Sequence, residues 1–229
     1  MSTANSEQAE KTSPGVGFRA LSCVAMSIYL IRHGETDLNA ARVLQMPGTP
    51  LSTLGREQAQ RLAEHLRPAG ILHVLASDYA RAEQTARPLE RATGATLECE
   101  PLLRERNFGD LRGMAYADLS EDPFAPGFAP PGGETEAVFQ ERVAEAWKRI
   151  VEVAARVPGH LAVVTHGLVC RGIVRDHLED PAGVGELDSP LPVRNTSFSV
   201  IEGPDPWRLL KFGRADHLEG LDVPDGAPA

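Results

Sequence analysis

Cysteine is scarce in this sequence, and long apolar runs are missing from it. The three cysteines, Cys23, Cys99 and Cys170, are an odd number without Cys-x-x-Cys spacing, which argues against a disulfide framework or a zinc knuckle. A reducing compartment, the cytoplasm, is therefore the expected location. No uninterrupted apolar run reaches the roughly 18 residues of a membrane-spanning helix, so we expect no membrane partner.

Positive charge is also in deficit. Lysine and arginine number 23 against 32 aspartate and glutamate residues, which gives a formal net charge of −9. Because such an acidic chain should repel polyanions, nucleic acid is not an expected partner. With 229 residues, 42% of them apolar, the chain can bury one sizeable core, which excludes disorder of the whole. The pattern gives no indication of oligomeric state.

The two ends of the chain differ from the middle. Residues 1–25 are rich in Ser, Thr, Glu, Gln and Gly without periodicity, which predicts a disordered N-terminal extension. Residues 20–31 are apolar enough to resemble a signal-peptide core, but no convincing small-residue cleavage site follows them. We expect one domain over residues 26–213 and a polar C-terminal tail over residues 214–229.

Between these ends, short apolar or β-branched runs alternate with longer segments of helical period. The alternation predicts an α/β fold of three layers, α/β/α, with a mostly parallel central sheet and helices on both faces. Residues 101–133 contain several Pro and Gly, which predicts a loop or a small insertion. The predicted strands cover residues 27–31, 71–76, 96–99, 161–165, 197–202 and 207–212, and the predicted helices cover residues 53–67, 79–93, 134–156 and 167–178.

Three polar clusters each follow a predicted strand directly, at residues 32–36, 77–85 and 165–167. Ligands of open α/β sheets bind beyond the carboxyl ends of the strands. One crevice should therefore collect Arg32 and His33 from the first cluster, Arg81 from the second and His166 from the third. A glycine after each histidine permits close backbone approach, and a helix that begins near Gly167 would direct its positive end to the same place. The pattern predicts an anion site.

Two competing uses of these residues have less support. A metal site is disfavoured because no His-Glu-x-x-His motif occurs and because His33-Gly34-Glu35 lacks a Pro-Cys-x-x-Cys partner. Arginines beside the histidines would also repel a divalent cation, so we expect no metal. A serine hydrolase is disfavoured because Gly-x-Ser-x-Gly is absent.

A longer series of motifs runs through these clusters and beyond them. It comprises residues 32–36 with Asn39, residues 50–52 before Gly55, Ser77 with residues 81–82 and 84–85, Glu105 with residues 108–109 and Gly113, and residues 165–167. In this order the motifs resemble the histidine phosphatase superfamily, the phosphoglycerate mutase-like phosphatases. The resemblance extends from residue 26 to about residue 212 and implies a phosphoglycerate mutase-like fold.

The resemblance also implies which residues hold phosphate. His33 would be the nucleophile that forms a phosphohistidine. Arg32, Arg81 and His166 would hold the phosphoryl group, and Asn39 would be a further phosphate ligand. Physical chemistry agrees with these roles, because a phosphoryl group in transfer spreads its charge over three oxygens and planar guanidinium groups pair with such oxygens bidentately.

Glu105 would be the proton donor by the same resemblance. It would protonate the leaving oxygen in the first step and take a proton from water in the second. The scheme requires no metal or other cofactor, and the implied partner is a small-molecule phosphate ester. For Arg104, Arg106 and Arg112, which flank Glu105, we expect solvated loop charges.

The resemblance leaves a choice between hydrolysis and transfer. Only 61 residues separate Glu105 from His166, which is short for a mutase of this family. Residues 131–135, with Arg142 further along, also resemble the phosphatase branch. We therefore expect a metal-independent phosphomonoester hydrolase, with phosphoglycerate mutase-type transfer as the alternative. A catalytically inactive phospho-ligand binder is a second alternative, against which the joint presence of His33, Glu105 and His166 argues.

Overall fold

The computed structural model describes residues 26–180 and 193–221, together with Met1 and Gly183. Apart from Met1, the predicted extension over residues 1–25 lies outside the described residues, as do residues 222–229 of the predicted tail. Within the described part, strands and helices alternate in the predicted order. The predicted loop at residues 101–133 contains three short helical turns of three residues each.

The described strands are β1 Met26–Arg32, β2 Ile71–Ala76, β3 Thr96–Cys99, β4 His160–Thr165, β5 Phe198–Gly203 and β6 Arg208–Arg214. They form one mixed sheet in the order β3-β2-β4-β1-β5-β6. The first four strands are parallel to one another, whereas β5 runs antiparallel to both β1 and β6. The predicted α/β fold with a mostly parallel central sheet is confirmed.

The described α-helices are α1 Asp37–Ala40, α2 Thr53–Leu66, α3 Ala80–Thr93, α4 Glu136–Ala154 and α5 Gly167–His177. Local chemistry sets several of their ends. The Ser52 hydroxyl accepts a hydrogen bond of 3.0 Å from the Gly55 amide at the start of α2. Gly94, at a φ of 72°, ends α3 in the left-handed conformation that a glycine adopts without strain.

Helices cover both faces of the sheet. On one face, α4 and α5 contribute Ile150 and Ile173 to an apolar cluster with Leu161 of β4. On the other face, α2 and α3 contribute Leu62 and Leu89 to a second cluster with neighbouring β4 residues. Residues 161–165 of β4 are all buried, as a central strand covered on both faces requires. The result is a three-layer α/β/α domain in which β1, β2, β3 and β4 all end at one edge of the sheet.

The structure differs from the sequence predictions at three places. α4 begins at Glu136 because the Thr135 hydroxyl caps it through the Val138 amide, at 3.3 Å. The four-residue α1 was not predicted, since a helix this short has no periodicity. The polar tail predicted from residue 214 is wrong for its first residues, because β6 continues to Arg214 and a turn at Asp216–Leu218 buries His217 and Leu218.

The described residues lack two features, a membrane-spanning helix and a metal-binding cluster. None of the helices in the described ranges combines the length and the apolar character that crossing a bilayer requires. In the same ranges, no three His, Cys, Asp or Glu side chains are grouped closely enough to hold a metal ion.

Candidate active site

The first two predicted site residues lie at the end of β1 and are buried. Arg32 ends β1 and His33 follows it, and each is 2% exposed. The His33 amide donates to the carbonyl of Thr165, at 2.9 Å, which joins the end of β1 to the end of β4. Gly34 packs so closely against α2 that a Cβ there would lie 2.7 Å from the carbonyl oxygen of Gly55. Only glycine therefore lets His33 take this position at the carboxyl edge of the sheet.

The two ring nitrogens of His33 have different partners. Nδ1 lies 2.7 Å from the carbonyl oxygen of Gly34, which can only accept a hydrogen bond, so Nδ1 carries the ring proton. Nε2 therefore holds the lone pair, and it accepts a hydrogen bond of 3.2 Å from Nε of Arg81. A neutral imidazole in this tautomer presents one nucleophilic nitrogen to the space beside Arg81.

Two buried guanidinium groups flank His33. Arg81 lies in the first turn of α3, is 2% exposed, and donates from a terminal nitrogen to the carbonyl of Met46 at 3.1 Å. Arg32 donates to the carbonyl of Val193, while its Nε has no hydrogen-bond partner in the described structure. Because a buried donor without a partner is rare in folded proteins, this N–H points to a ligand atom that would accept from it.

His166 approaches His33 from β4. It precedes α5, is fully buried, and its ring centroid lies 5.0 Å from that of His33. Nε2 is 2.9 Å from the hydroxyl oxygen of Ser77, and Nδ1 has no hydrogen-bond partner in the described structure. The ring also contacts Tyr79 edge-on, with centroids 5.4 Å apart. Two histidines and two arginines from three strand ends therefore meet, as the sequence clusters predicted.

Burial and the arginines control the charge of these groups. Burial lowers the pKa of His33 well below its usual value, and Arg81 and then Arg32 lower it further. The pKa of His166 is also well below the usual value, first through burial and then through Arg81. Burial lowers the pKa of Arg81 to about 10, which leaves its guanidinium charged at neutral pH. The site therefore combines two neutral imidazoles with two cations.

Glu105 completes the constellation from the loop after β3. One carboxylate oxygen accepts from the Arg106 amide at 2.9 Å, and the other accepts from the Leu168 amide in the first turn of α5 at 3.2 Å. A carboxylate at a helix N-terminus is favoured by the helix dipole. Glu105 is half-buried, so it faces both the protein and solvent. Glu105 and His33 line the same cavity.

Two adjoining concave spaces are lined by these residues, with the exception of His166. The smaller, which we call the His33 cavity, has a volume of about 40 Å³, and the larger, the outer cleft, has about 790 Å³. Tyr79, Glu105 and Arg112 line both of them. Arg32, His33, Asn39 and Arg81 line the His33 cavity, together with Leu44, Gln45, Arg106, Phe108, Tyr116, Phe124 and Leu168. The arrangement gives a phosphate-sized anion an enclosed place and gives the rest of a ligand an open one.

The three arginines near Glu105 differ in environment. Arg104 is exposed and forms a bidentate ion pair with Asp78. Arg106 is 7% exposed and donates to the carbonyls of Phe128 and Glu134, so the prediction of a solvated charge is wrong there. Arg112 donates to the hydroxyl of Tyr79 at 2.9 Å and faces both concave spaces. Of the three, Arg112 is the one that lines both spaces.

Asn39 lies at the His33 cavity beside a residue that the sequence analysis missed. Asn39 is 8% exposed, and its side-chain oxygen accepts a hydrogen bond of 3.4 Å from the side-chain nitrogen Nδ2 of Asn195. The same Asn195 nitrogen donates to the carbonyl of His33 at 3.0 Å. Asn195 precedes β5, and because β5 is antiparallel to β1, its start lies at the edge where β1 ends. Asn195 could have been predicted as a site residue if the antiparallel direction of β5 had been known.

A three-layer α/β fold with two histidines and two arginines buried at the carboxyl ends of its parallel strands defines a domain built to hold a small anion next to an imidazole. The sequence profile of the histidine phosphatase superfamily (branch 1) matches residues 28–213. The chain belongs to this superfamily.

Similar proteins include both mutases and phosphatases by name. A probable phosphoglycerate mutase from Yersinia pestis is 32% identical over 210 residues, which are 85% of this chain and 95% of the relative. The solved mycobacterial glucosyl-3-phosphoglycerate phosphatase is similar at a TM-score of 0.69 and 27% identity, over 81% of this chain and 98% of that one. A putative alpha-ribazole-5'-P phosphatase from Escherichia coli has a TM-score of 0.69 and 29% identity, over 83% and 98%.

Proposed function

We propose that the protein hydrolyses a small phosphorylated metabolite through a phosphohistidine on His33, without a metal ion. The contact between Nε of Arg81 and Nε2 of His33, at 3.2 Å, carries this proposal. With Nδ1 donating to the carbonyl of Gly34, Nε2 holds the lone pair of the ring at a cationic cavity. A bound phosphoryl group takes the place of the contact with Arg81, whose Nε then donates to a phosphoryl oxygen and leaves the lone pair free to attack. A phosphate monoester is the substrate whose electrophilic atom is surrounded by the oxygens that such cations bind.

In the first step, the Nε2 lone pair of His33 forms a bond to phosphorus as the bond from phosphorus to the leaving oxygen breaks. That oxygen keeps the bonding pair and takes a proton from Glu105. Arg32, Arg81 and His166 stabilise the charge on the three phosphoryl oxygens, because fixed donors in a buried site need no reorganisation as charge develops. Asn39, at the same cavity, is a further phosphate ligand.

In the second step, water attacks the phosphohistidine. Glu105, now a carboxylate, takes a proton from the water as its oxygen bonds to phosphorus. The bond between phosphorus and Nε2 breaks, and His33 regains its lone pair as inorganic phosphate departs. Because Glu105 lines the outer cleft as well as the His33 cavity, water reaches this position once the leaving group has gone.

The outer cleft favours hydrolysis over mutase-type transfer. A mutase keeps its bisphosphorylated intermediate away from water and gives both phosphates a cationic partner. Here the outer cleft is wide, and two of its arginines, Arg104 and Arg142, are already paired with carboxylates. The name of the Yersinia relative favours the mutase as the second candidate. A function as a phospho-ligand binder would leave the presence of Glu105 unexplained, since binding alone requires no acid at this position.

The proposal is tested with His33→Ala and p-nitrophenyl phosphate in the presence of EDTA. We expect the wild-type protein to hydrolyse this substrate. In the variant, kcat/KM should fall at least about 10³-fold, because the covalent route disappears with the nucleophile. His73→Ala is the matched control, since His73 lies on β2 with its Nε2 3.4 Å from a carboxylate oxygen of Glu98, away from the site. Parental turnover by His33→Ala would refute the proposal.

The choice between the two reactions requires a second assay. The protein is incubated with 3-phosphoglycerate, with and without 2,3-bisphosphoglycerate, and phosphorus NMR follows the products. Release of inorganic phosphate from this or another metabolite ester supports hydrolysis. Conversion to 2-phosphoglycerate without phosphate release would make the protein a mutase.

A further inference from the structure

A partly buried ion pair between Glu134 and Arg142 lies next to the loop that carries Glu105. Arg142 of α4 and Glu134 are 18% and 15% exposed at their side chains. Nε of Arg142 is 2.7 Å from one carboxylate oxygen of Glu134, and a terminal nitrogen is 2.8 Å from the other. Such a bidentate pair fixes the orientation of both side chains.

The remaining hydrogen bonds of this pair go to the backbone on both sides of Glu105. Arg142 donates to the carbonyls of Leu102 and Arg104, each at 2.8 Å, and more weakly to that of Glu105 at 3.4 Å. A carboxylate oxygen of Glu134 accepts from the Asn107 amide at 2.8 Å. The Glu134–Arg142 pair therefore holds the loop before Glu105 through one member and the loop after it through the other.

Other side chains also hold this loop: the Thr165 hydroxyl donates to the carbonyl of Leu103 at 2.7 Å, Arg104 is paired with Asp78, and Arg106 donates to the carbonyls of Phe128 and Glu134. The Glu134–Arg142 pair differs from them because it contacts the backbone on both sides of Glu105. Only the short turn Pro101–Leu103 lies between the end of β3 and Glu105, so no sheet ladder sets the height of Glu105 above His33. The Glu105 carboxylate is oriented by the Arg106 and Leu168 amides, but those bonds form only when the backbone is already in place. Arg142 contributes to that placement from a 19-residue helix.

We propose that the Glu134–Arg142 pair is a positioning unit that sets Glu105 at proton-transfer distance from the leaving oxygen. This inference rests on the proposed function. A general acid acts only within hydrogen-bond reach, so a loop shift of an ångström leaves Glu105 chemically intact but ineffective. A buried ion pair adds little net stability and is better explained by the geometry it imposes.

Two substrates with different leaving groups can distinguish a positioning role of the Glu134–Arg142 pair from a role in stabilising the fold alone. Glycerol 3-phosphate releases an alkoxide, which must be protonated as it leaves. p-Nitrophenyl phosphate releases a stable phenolate, which needs no acid. A defect in proton donation therefore slows the first substrate far more than the second, whereas a general loss of folded enzyme slows both equally.

The test compares Arg142→Gln with Glu105→Gln on both substrates. In each variant we expect kcat/KM, which reports the steps up to departure of the leaving group, to fall at least about tenfold more for glycerol 3-phosphate than for p-nitrophenyl phosphate. This difference is within the range that general acid catalysis contributes. The double variant should be little slower than Glu105→Gln alone, because the two changes remove the same function. Glu134→Gln should give the same preference in weaker form, and it carries the test if Arg142→Gln does not fold.

Arg149→Gln is the matched control. Arg149 lies on the same helix and is paired with Glu98 and Glu100, but it makes no hydrogen bond to residues 102–107. Its variant should slow both substrates equally or not at all. Equal losses on both substrates in Arg142→Gln, or additive losses in the double variant, would overturn the inference. Absence of hydrolysis of either ester by the wild-type protein would instead overturn the proposed function, and the inference with it.

Discussion

Replacement of Arg81 by alanine tests the electrostatics of the site most directly. Arg81 is 2% exposed and its Nε donates to Nε2 of His33 at 3.2 Å. Alanine removes that donor and the buried cation while it keeps the helical backbone of α3. Arg91→Ala is the matched control, because Arg91 lies on the same helix and is exposed.

The effect on stability should be small. Burial lowers the pKa of Arg81 from 12.5 to about 10. This shift corresponds to a cost of about 3 kcal/mol for the charged form, which alanine relieves. Loss of the buried methylene groups costs about 0.8 kcal/mol each, so packing losses of about 2 kcal/mol oppose that gain. We expect the urea midpoint of Arg81→Ala to lie close to that of the wild type.

The effect on turnover should be large. Removal of one preorganised donor to a charged transition state costs about 10²- to 10³-fold in kcat. Arg81→Lys keeps the charge but loses the planar pair of donors, so its kcat should lie between those of Arg81→Ala and the wild type. Steady-state hydrolysis of p-nitrophenyl phosphate measures both variants. A loss below threefold in Arg81→Ala would refute the assignment of Arg81 to the transition state.

The pH profile provides an independent check. After burial, Arg81 is the largest cause that lowers the pKa of His33, so its removal raises that pKa toward the usual 6.5. Only the neutral imidazole attacks, and a higher pKa means that protonation begins at a higher pH as the solution is acidified. The acid limb of kcat/KM for Arg81→Ala should therefore move to higher pH, and the Arg91→Ala limb should not move. An unmoved limb would show that Arg81 does not control the charge of His33.

Two further predictions concern specificity and packing. Arg112→Gln should lower kcat/KM for 3-phosphoglycerate about tenfold more than for glycerol 3-phosphate, because the variant loses a charge-assisted hydrogen bond to the extra carboxylate. Arg104→Gln should not show this difference, because Arg104 is already paired with Asp78. Equal effects of the two variants would exclude Arg112 from specificity. Gly55→Ala should lower the free energy of unfolding by about 1–3 kcal/mol in urea titrations, because its Cβ would lie 2.0 Å from the carbonyl oxygen of Glu35. Gly48→Ala, with nothing within 4 Å, is the control, and an equal loss there would contradict the packing argument.

The convergence of the site residues was predictable because it follows from strand direction. His33, Arg81 and His166 each come shortly after a strand, and parallel strands end at one edge of a sheet. Asn195 was missed because it precedes a strand, and its place depends on the antiparallel direction of β5. A run of apolar residues indicates a strand but not which way the strand runs.

The loop at residues 101–133 was predicted as a loop, but its internal structure was not, for a different reason. Its backbone is held by side chains that are distant in sequence, such as Arg106, which donates to the carbonyl of Phe128, and Arg142, which donates to that of Leu102. Such bonds leave no periodicity, so the Pro and Gly residues indicated only that regular structure would be absent. His217 was likewise read as part of a polar tail, although its Nε2 forms a 3.0 Å hydrogen bond with the buried Thr196 hydroxyl.

The two buried arginines solve a problem that the ligand itself creates. A phosphate dianion in contact with an imidazole would raise the pKa of the ring and favour its protonated form, which cannot attack. Burial, Arg81 and Arg32 lower the pKa of His33 before the ligand arrives, so the shift caused by the dianion starts from a depressed value. In the proposed mechanism, the cations that bind the phosphoryl oxygens thus also keep Nε2 unprotonated. Because they lie inside an acidic chain with a net charge of −9, we expect their attraction to be confined to anions small enough to enter the His33 cavity.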